Sequence, residues 1–163
     1  MNVTAQIRYA ADPKTTFDML LDRGFQEQVC RATGAIGFQV DVEQLDDGGT
    51  VRTDRELPTD QFPDFVKTFV GDTVHVVRVD TWGAAEADGS RAGTIVVEIK
   101  GAPVRLDGTL RLRPEGAGTV EDVQGDLKAS VPLIGSRIEK AVEPPIRSAV
   151  AKEEQVGARW LAG

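Results

Sequence analysis

The stretch SVPLIGSRIEKAVEPPIRSAV, Ser130 to Val150, decides how the rest of the chain is read. Ile134, Ile138, Val142, Ile146 and Val150 recur at the three-to-four-residue spacing of an amphipathic helix. Pro144 and Pro145 fall in its middle. Neither can donate the bond that an unbroken helix would send to the carbonyls of Lys140 and Ala141, and an interior proline costs roughly 3 kcal/mol. The spacing therefore predicts a long C-terminal helix from Ile134 to about Trp160, on the order of 40 Å. It should bend by more than about 20° or restart between Val142 and Ile146.

Upstream the chain is mostly strand. Asn2 to Tyr9 alternates strictly, with Val3, Ala5, Ile7 and Tyr9 on one face. Asp12 as N-cap and Pro13 at the first helical position open a short helix carrying Phe17, Leu20 and Leu21, and Gly24 is read as its stop. A second short helix is expected from Phe25 to about Ala32. Turn signals at DDGG (Asp46–Gly49), EADGSRAG (Glu86–Gly93), GAP (Gly101–Pro103) and PEGAG (Pro114–Gly118) then separate six strands. These run Phe38–Leu45, Thr50–Leu57, Thr73–Trp82, Gly93–Lys100, Val104–Arg113 and Thr119–Val131. Phe62, Phe65 and Phe69, at helical spacing, imply one or two turns of helix before the fourth strand. The order predicts an α+β fold in one domain over residues 1–163. A strongly curved seven-stranded antiparallel sheet is gripped by the C-terminal helix, with a cavity between them.

Composition narrows the function. With 26 acidic and 19 basic residues among 163, net charge −7, there is no basic field for a nucleic-acid backbone. The lone Cys30 excludes an internal disulfide, and the chain has no long apolar run, so a soluble cytoplasmic protein without integral membrane association is expected. One histidine and one cysteine supply no conventional metal site. No phosphate-binding loop, dinucleotide fingerprint, nucleophile elbow or HExxH is present, and no cofactor is implied.

The element order, the Leu57–Pro58 pair, Trp82 closing the fourth strand, and above all VPLIGSRIEKAV from Val131 to Val142 carry a resemblance. The chain resembles the START-like, or helix-grip, superfamily, which includes polyketide cyclases and lipid-transfer domains, and within it an uncharacterised bacterial family. The resemblance implies a hydrophobic cavity that holds a lipid, quinone or polyketide-like molecule.

Placing charged residues outward gives the faces expected to line that cavity. Phe38, Val40 and Val42 point inward on the second strand, and Thr53, Arg55 and Leu57 on the third. On the fourth, with Arg78 and Asp80 placed outside, His75, Val77, Val79 and Thr81 point inward. Val97, Leu110 and Leu127 follow on later strands, and Ile138, Val142 and Glu153 on the helix. Phe65 and Phe69 serve as core or as a lid. Among these apolar positions Tyr9, Arg55, His75 and Glu153 are the polar candidates. Arg55 and Glu153 either pair, with each other or a ligand, or sit at a wet mouth or on a solvated flank. No catalytic motif is found, with His75 and Glu153 as weak acid/base candidates. Three functions follow: carriage of a hydrophobic or amphipathic small molecule, cyclase or dehydratase chemistry on a similar ligand, or a co-chaperone-like interaction module. Oligomeric state is open.

Overall fold

The computed structural model describes residues 1–163. Strand β1 (Asn2–Tyr9) is followed by helices α1 (Pro13–Leu20) and α2 (Arg23–Ala32), then strands β2 (Gly37–Leu45) and β3 (Gly48–Pro58). Helix α3 (Asp64–Val70) leads into β4 (Thr73–Trp82), β5 (Arg91–Ile99), β6 (Val104–Glu115) and β7 (Gly118–Ala129), and α4 (Gly135–Leu161) ends the chain. All strand pairs are antiparallel, in the order β1-β7-β6-β5-β4-β3-β2. This is the α+β helix-grip architecture. No helix is long and apolar enough to cross a membrane.

The caps explain where the short helices begin. Asp12 accepts from the Thr15 amide at 2.8 Å to start α1, and Asp22 accepts from the Phe25 amide at 3.2 Å to start α2. Gly24 therefore does not stop α1 as expected. Leu21 closes that helix, and Gly24 lies in the first turn of the next because the Asp22 cap moves its start forward.

Helix α4 runs through Pro144 and Pro145 without a restart, as one of the two expected forms of the long C-terminal helix. Pro144 and Lys140 are exposed and Ala141 is half-buried, so the carbonyls deprived of a donor lie where water can reach them. The helix is anchored at its start by Glu139, whose carboxylate accepts from the Ala129 amide at 3.0 Å and from the Met1 amino group at 3.5 Å. Near its other end Gly157 allows close packing. A Cβ there would lie 2.5 Å from Cε1 of Tyr9. Helix α4 thus rests on β1, β7 and α2, and the other half of the sheet's inner face is left more open.

Cross-strand partners share a face, which sets the inner surface strand by strand. Val51, Thr53 and Arg55 on β3 oppose Asp80, Arg78 and Val76 on β4, and Arg78 and Asp80 oppose Val97 and Ile95 on β5. The expected orientation of the fourth strand is therefore inverted. Val74, Val76, Arg78, Asp80 and Trp82 face inward, and His75, Val77, Val79 and Thr81 face out. Charge was a misleading guide because the two charged side chains are matched to each other inside the fold. Val77 is buried, but on the outer face and apart from the continuous core.

Candidate functional site

Two features occupy the more open half of the inner face. The first is a polar recess lined by Gln26, Val29 and Cys30 of α2, Val51, Thr53 and Arg55 of β3, and Arg78 and Asp80 of β4. Its volume is about 270 Å³, counting space open to solvent. The second is a groove of about 380 Å³ on the same terms, with walls almost wholly apolar. Val66 and Phe69 of α3, Val74, Ile99, and Ile138 and Val142 of α4 form its sides. Strand β4 joins the two, because Val74 in the groove and Arg78 in the recess lie four residues apart on one face. At the usual strand rise that is ~13 Å.

The recess is organised by Arg78. Its Nε donates to Asp80 Oδ1 at 2.9 Å and its Nη2 to Asp80 Oδ2 at 2.7 Å, while Nη1 donates to Glu153 Oε2 at 2.9 Å. Burial alone would lower the Arg78 pKa, but the two carboxylates hold it well above its ordinary value. Asp80 is raised, because burial outweighs the pull of Arg78. Cys30 is raised mainly by burial, which keeps its thiol protonated and unreactive. Arg55 is 8% exposed, and only its Nη1 is engaged within the protein, donating to Thr33 Oγ1 at 3.0 Å. Its Nε is buried without a partner. Burial, then the neighbouring Arg78, depress its pKa.

A second buried acid lies under the packed half. Glu121 is wholly buried opposite Ile7 and Leu112, and Tyr9 donates its hydroxyl to Glu121 Oε2 at 3.3 Å. Burial, reinforced by Glu153, pushes Glu121 up to about 8, so it is largely a neutral acid at pH 7. Tyr9 is likewise pushed well above its ordinary value, chiefly by burial. Neither lines the recess or the groove.

The remaining sequence candidates separate by position. Ile138, Val142 and Phe69 meet at the groove, where Phe69 is 48% exposed. Phe65 is half-buried beneath the Arg137 guanidinium, 4.5 Å from its ring centroid. Arg55 lines the recess, and Glu153 closes on it through Arg78 rather than lying on a solvated flank. Val97 faces inward and is half-buried. Phe38 lies half-buried under Arg31, and Val40 is buried. Leu110 and Leu127 are in the closed core with Tyr9. His75 is exposed on the outer face, its Nδ1 3.4 Å from Asp54, and so takes no part in the interior. Sequence reasoning passed over Arg78, Asp80 and Glu121. The signal for Glu121 was present, since it shares the alternation of Val123, Leu127 and Ala129.

The comparisons with known proteins agree with this architecture. Residues 4–161 match the model of a family described as Protein of unknown function (DUF2505). An uncharacterized protein of Mycobacterium tuberculosis is 27% identical over 168 residues, covering 90% of this chain and 96% of that one. Among solved structures, TTHA0849 from Thermus thermophilus superposes with a TM-score of 0.61 at 15% identity, covering 96% of this chain and 97% of the other. A STAR-related lipid transfer protein from Xanthomonas axonopodis superposes with a TM-score of 0.55 at 16% identity, covering 93% and 85%. At these identities the likeness is one of fold.

Proposed function

The chain belongs to the DUF2505 family, and we propose that it works as one domain that binds and carries an amphipathic small molecule in the cleft between β3–β5 and α4. The observation that carries this reading is the placement, on one face of β4, of an apolar groove and a polar recess ~13 Å apart. Apolar walls with a few converging polar groups are what small-molecule sites are made of. The shared fold with a STAR-related lipid transfer protein supports the same class of ligand. The free, buried thiol of Cys30 suits a reducing cytoplasm.

As they stand the groove and recess are shallow and enclose little free space, so a ligand of this class requires a wall to move. Helix α3 is suited to that. It has seven residues, no side-chain cap, a terminal Gly71 at φ 81°, and the exposed Phe69. Its displacement widens the groove without breaking the sheet.

Titration calorimetry with fatty acids, quinones and aromatic polyketides, alongside native mass spectrometry of protein purified from its own host, tests the proposal. Saturable one-site binding with a negative heat-capacity change is expected from burial of apolar surface. Absence of binding across the panel, together with no copurified molecule, overturns it.

A further inference from the structure

We propose that the polar end of the bound molecule is a carboxylate, held side-on by Nε and Nη2 of Arg55. This rests on the small-molecule reading above and names the chemical class of the ligand. A guanidinium presents two edges to a planar acceptor, and the side-on edge is formed by Nε and Nη2. In Arg55 the engaged nitrogen is Nη1, which donates to Thr33 Oγ1 at 3.0 Å, while Nε is buried with no partner. Arg78, in the same recess, has its side-on edge filled, holding Asp80 at 2.9 Å through Nε and 2.7 Å through Nη2. The two arginines thus share a wall and differ in one respect: one edge carries a carboxylate from the protein and the other is free.

Arg55 lines a recess whose other walls suit that group. Thr53 lies two residues from Arg55 on the same face of β3 and adds a hydroxyl to the recess wall, and Val29 and Val51 supply apolar flanks. A nine-tenths-buried guanidinium without a contacting carboxylate is uncommon, since buried charges are normally paired. A bond to a charged acceptor is roughly twice as strong as one to a neutral acceptor, which favours an acid over its ester or alcohol. A single charge also disturbs the recess less than two. Arg55 and Arg78 contribute +2 and Asp80 and Glu153 contribute −2, so a singly charged carboxylate disturbs the recess less than a phosphate dianion does. Arg55 opposes Val76, two residues or ~7 Å along β4 from Val74, so an acyl chain anchored at Arg55 runs directly toward the groove.

The test is calorimetric titration at pH 7 of dodecanoate and methyl dodecanoate into the wild-type chain and into Arg55→Met, which keeps much of the apolar stem. Wild type should bind the acid at least roughly tenfold more tightly than the ester, as expected for one charge-assisted interaction. Arg55→Met should remove that preference while holding the ester within about twofold, by the same reasoning. A cooperative thermal transition shared by both proteins establishes that the variant folds, and Arg55→Lys, which keeps charge without the fork, should recover only part of the preference. Equal binding of acid and ester by wild type overturns the carboxylate assignment alone. Equal loss of both ligands in Arg55→Met overturns the role of Arg55. Failure of wild type to bind either molecule, or any amphiphile of the wider panel, overturns the small-molecule reading and this inference with it.

Discussion

One half of the sheet's inner face is closed and the other is not. Under α4, the strands β1, β7 and β6 present Ile7, Leu127, Leu110 and Leu112, all essentially without solvent contact. On β3, β4 and β5 the same face presents Thr53, Arg55, Arg78 and Asp80, with Val51, Val74, Trp82 and Ile95 buried but Val76, Val97 and Ile99 only half-buried. Both halves belong to one continuous ladder, so strand geometry does not distinguish them. The difference comes from what covers them. Gly157 and Tyr9 bring α4 against the first half, and the second meets α4 through the Arg78–Glu153 bridge and across the groove that Ile138 and Val142 line. The closed half behaves as core, and the open half has the composition of a site.

The largest expected effect is in the open half. Arg78→Met leaves Asp80 and Glu153 buried without their partner, a loss of about 3–5 kcal/mol in stability, measured by denaturant unfolding. Adding Asp80→Leu and Glu153→Leu to it should restore most of that loss, since an apolar replacement removes the stranded charges. If the single variant is as stable as wild type, the bridge is not what holds α4 over this half.

In the closed half, Leu112→Ala should cost roughly 2–5 kcal/mol by the same measurement, because the side chain is fully enclosed and the cavity relaxes only in part. Gly157→Ala should cost about 1–3 kcal/mol through its collision with the Tyr9 ring, despite alanine's better helix propensity. A smaller penalty at Leu112 than at half-buried Val97 would invert the comparison.

Glu121 gives the closed half a pH signature. Its folded pKa, about 8, lies above that of an ordinary unfolded glutamate, so the native state holds the proton more firmly between the two values. Its contribution to stability is complete below the unfolded pKa and is lost as pH rises toward 8. Glu121→Gln should therefore match wild type near pH 5 and exceed it by about 1–3 kcal/mol at pH 8 in paired urea titrations. A difference that grows toward low pH would show that Glu121 is ionised in the native state.

The smallest effect on stability is predicted at Val97→Phe. The side chain is only half-buried, so the extra volume should cost under about 1 kcal/mol, against 1–3 kcal/mol for overpacking a filled core. The same substitution should weaken ligand binding, because Val97 faces inward opposite Arg78 of the recess.

Much of this was legible in the sequence. Alternation from Val3 to Tyr9, the Asp12–Pro13 helix start and the turn signals identify the elements, and the apolar stripe of Ile138 and Val142 identifies the gripping helix. Strand β4 was not legible, because TVHVVRVDTW has valines on both faces, and the charged pair then decided the assignment the wrong way. Only the ladder, with Thr53 opposite Arg78, resolves it. The sequence left open whether α4 restarts at its prolines: they are penalised for lost hydrogen bonds, yet Pro144 and Lys140 face water and the helix runs on. The recess draws on α2, β3 and β4, and Glu153 reaches it from α4, so no local spacing announces the site.

The claim that the open half is the binding site is tested most directly by methyl NMR on protein labelled at isoleucine, leucine and valine, titrated with dodecanoate. The account predicts shift changes at Val74, Val76, Val97, Ile99, Ile138 and Val142, with Leu110, Leu112 and Leu127 unmoved. Changes centred on those three leucines, or none along β4 at saturating ligand, would contradict it.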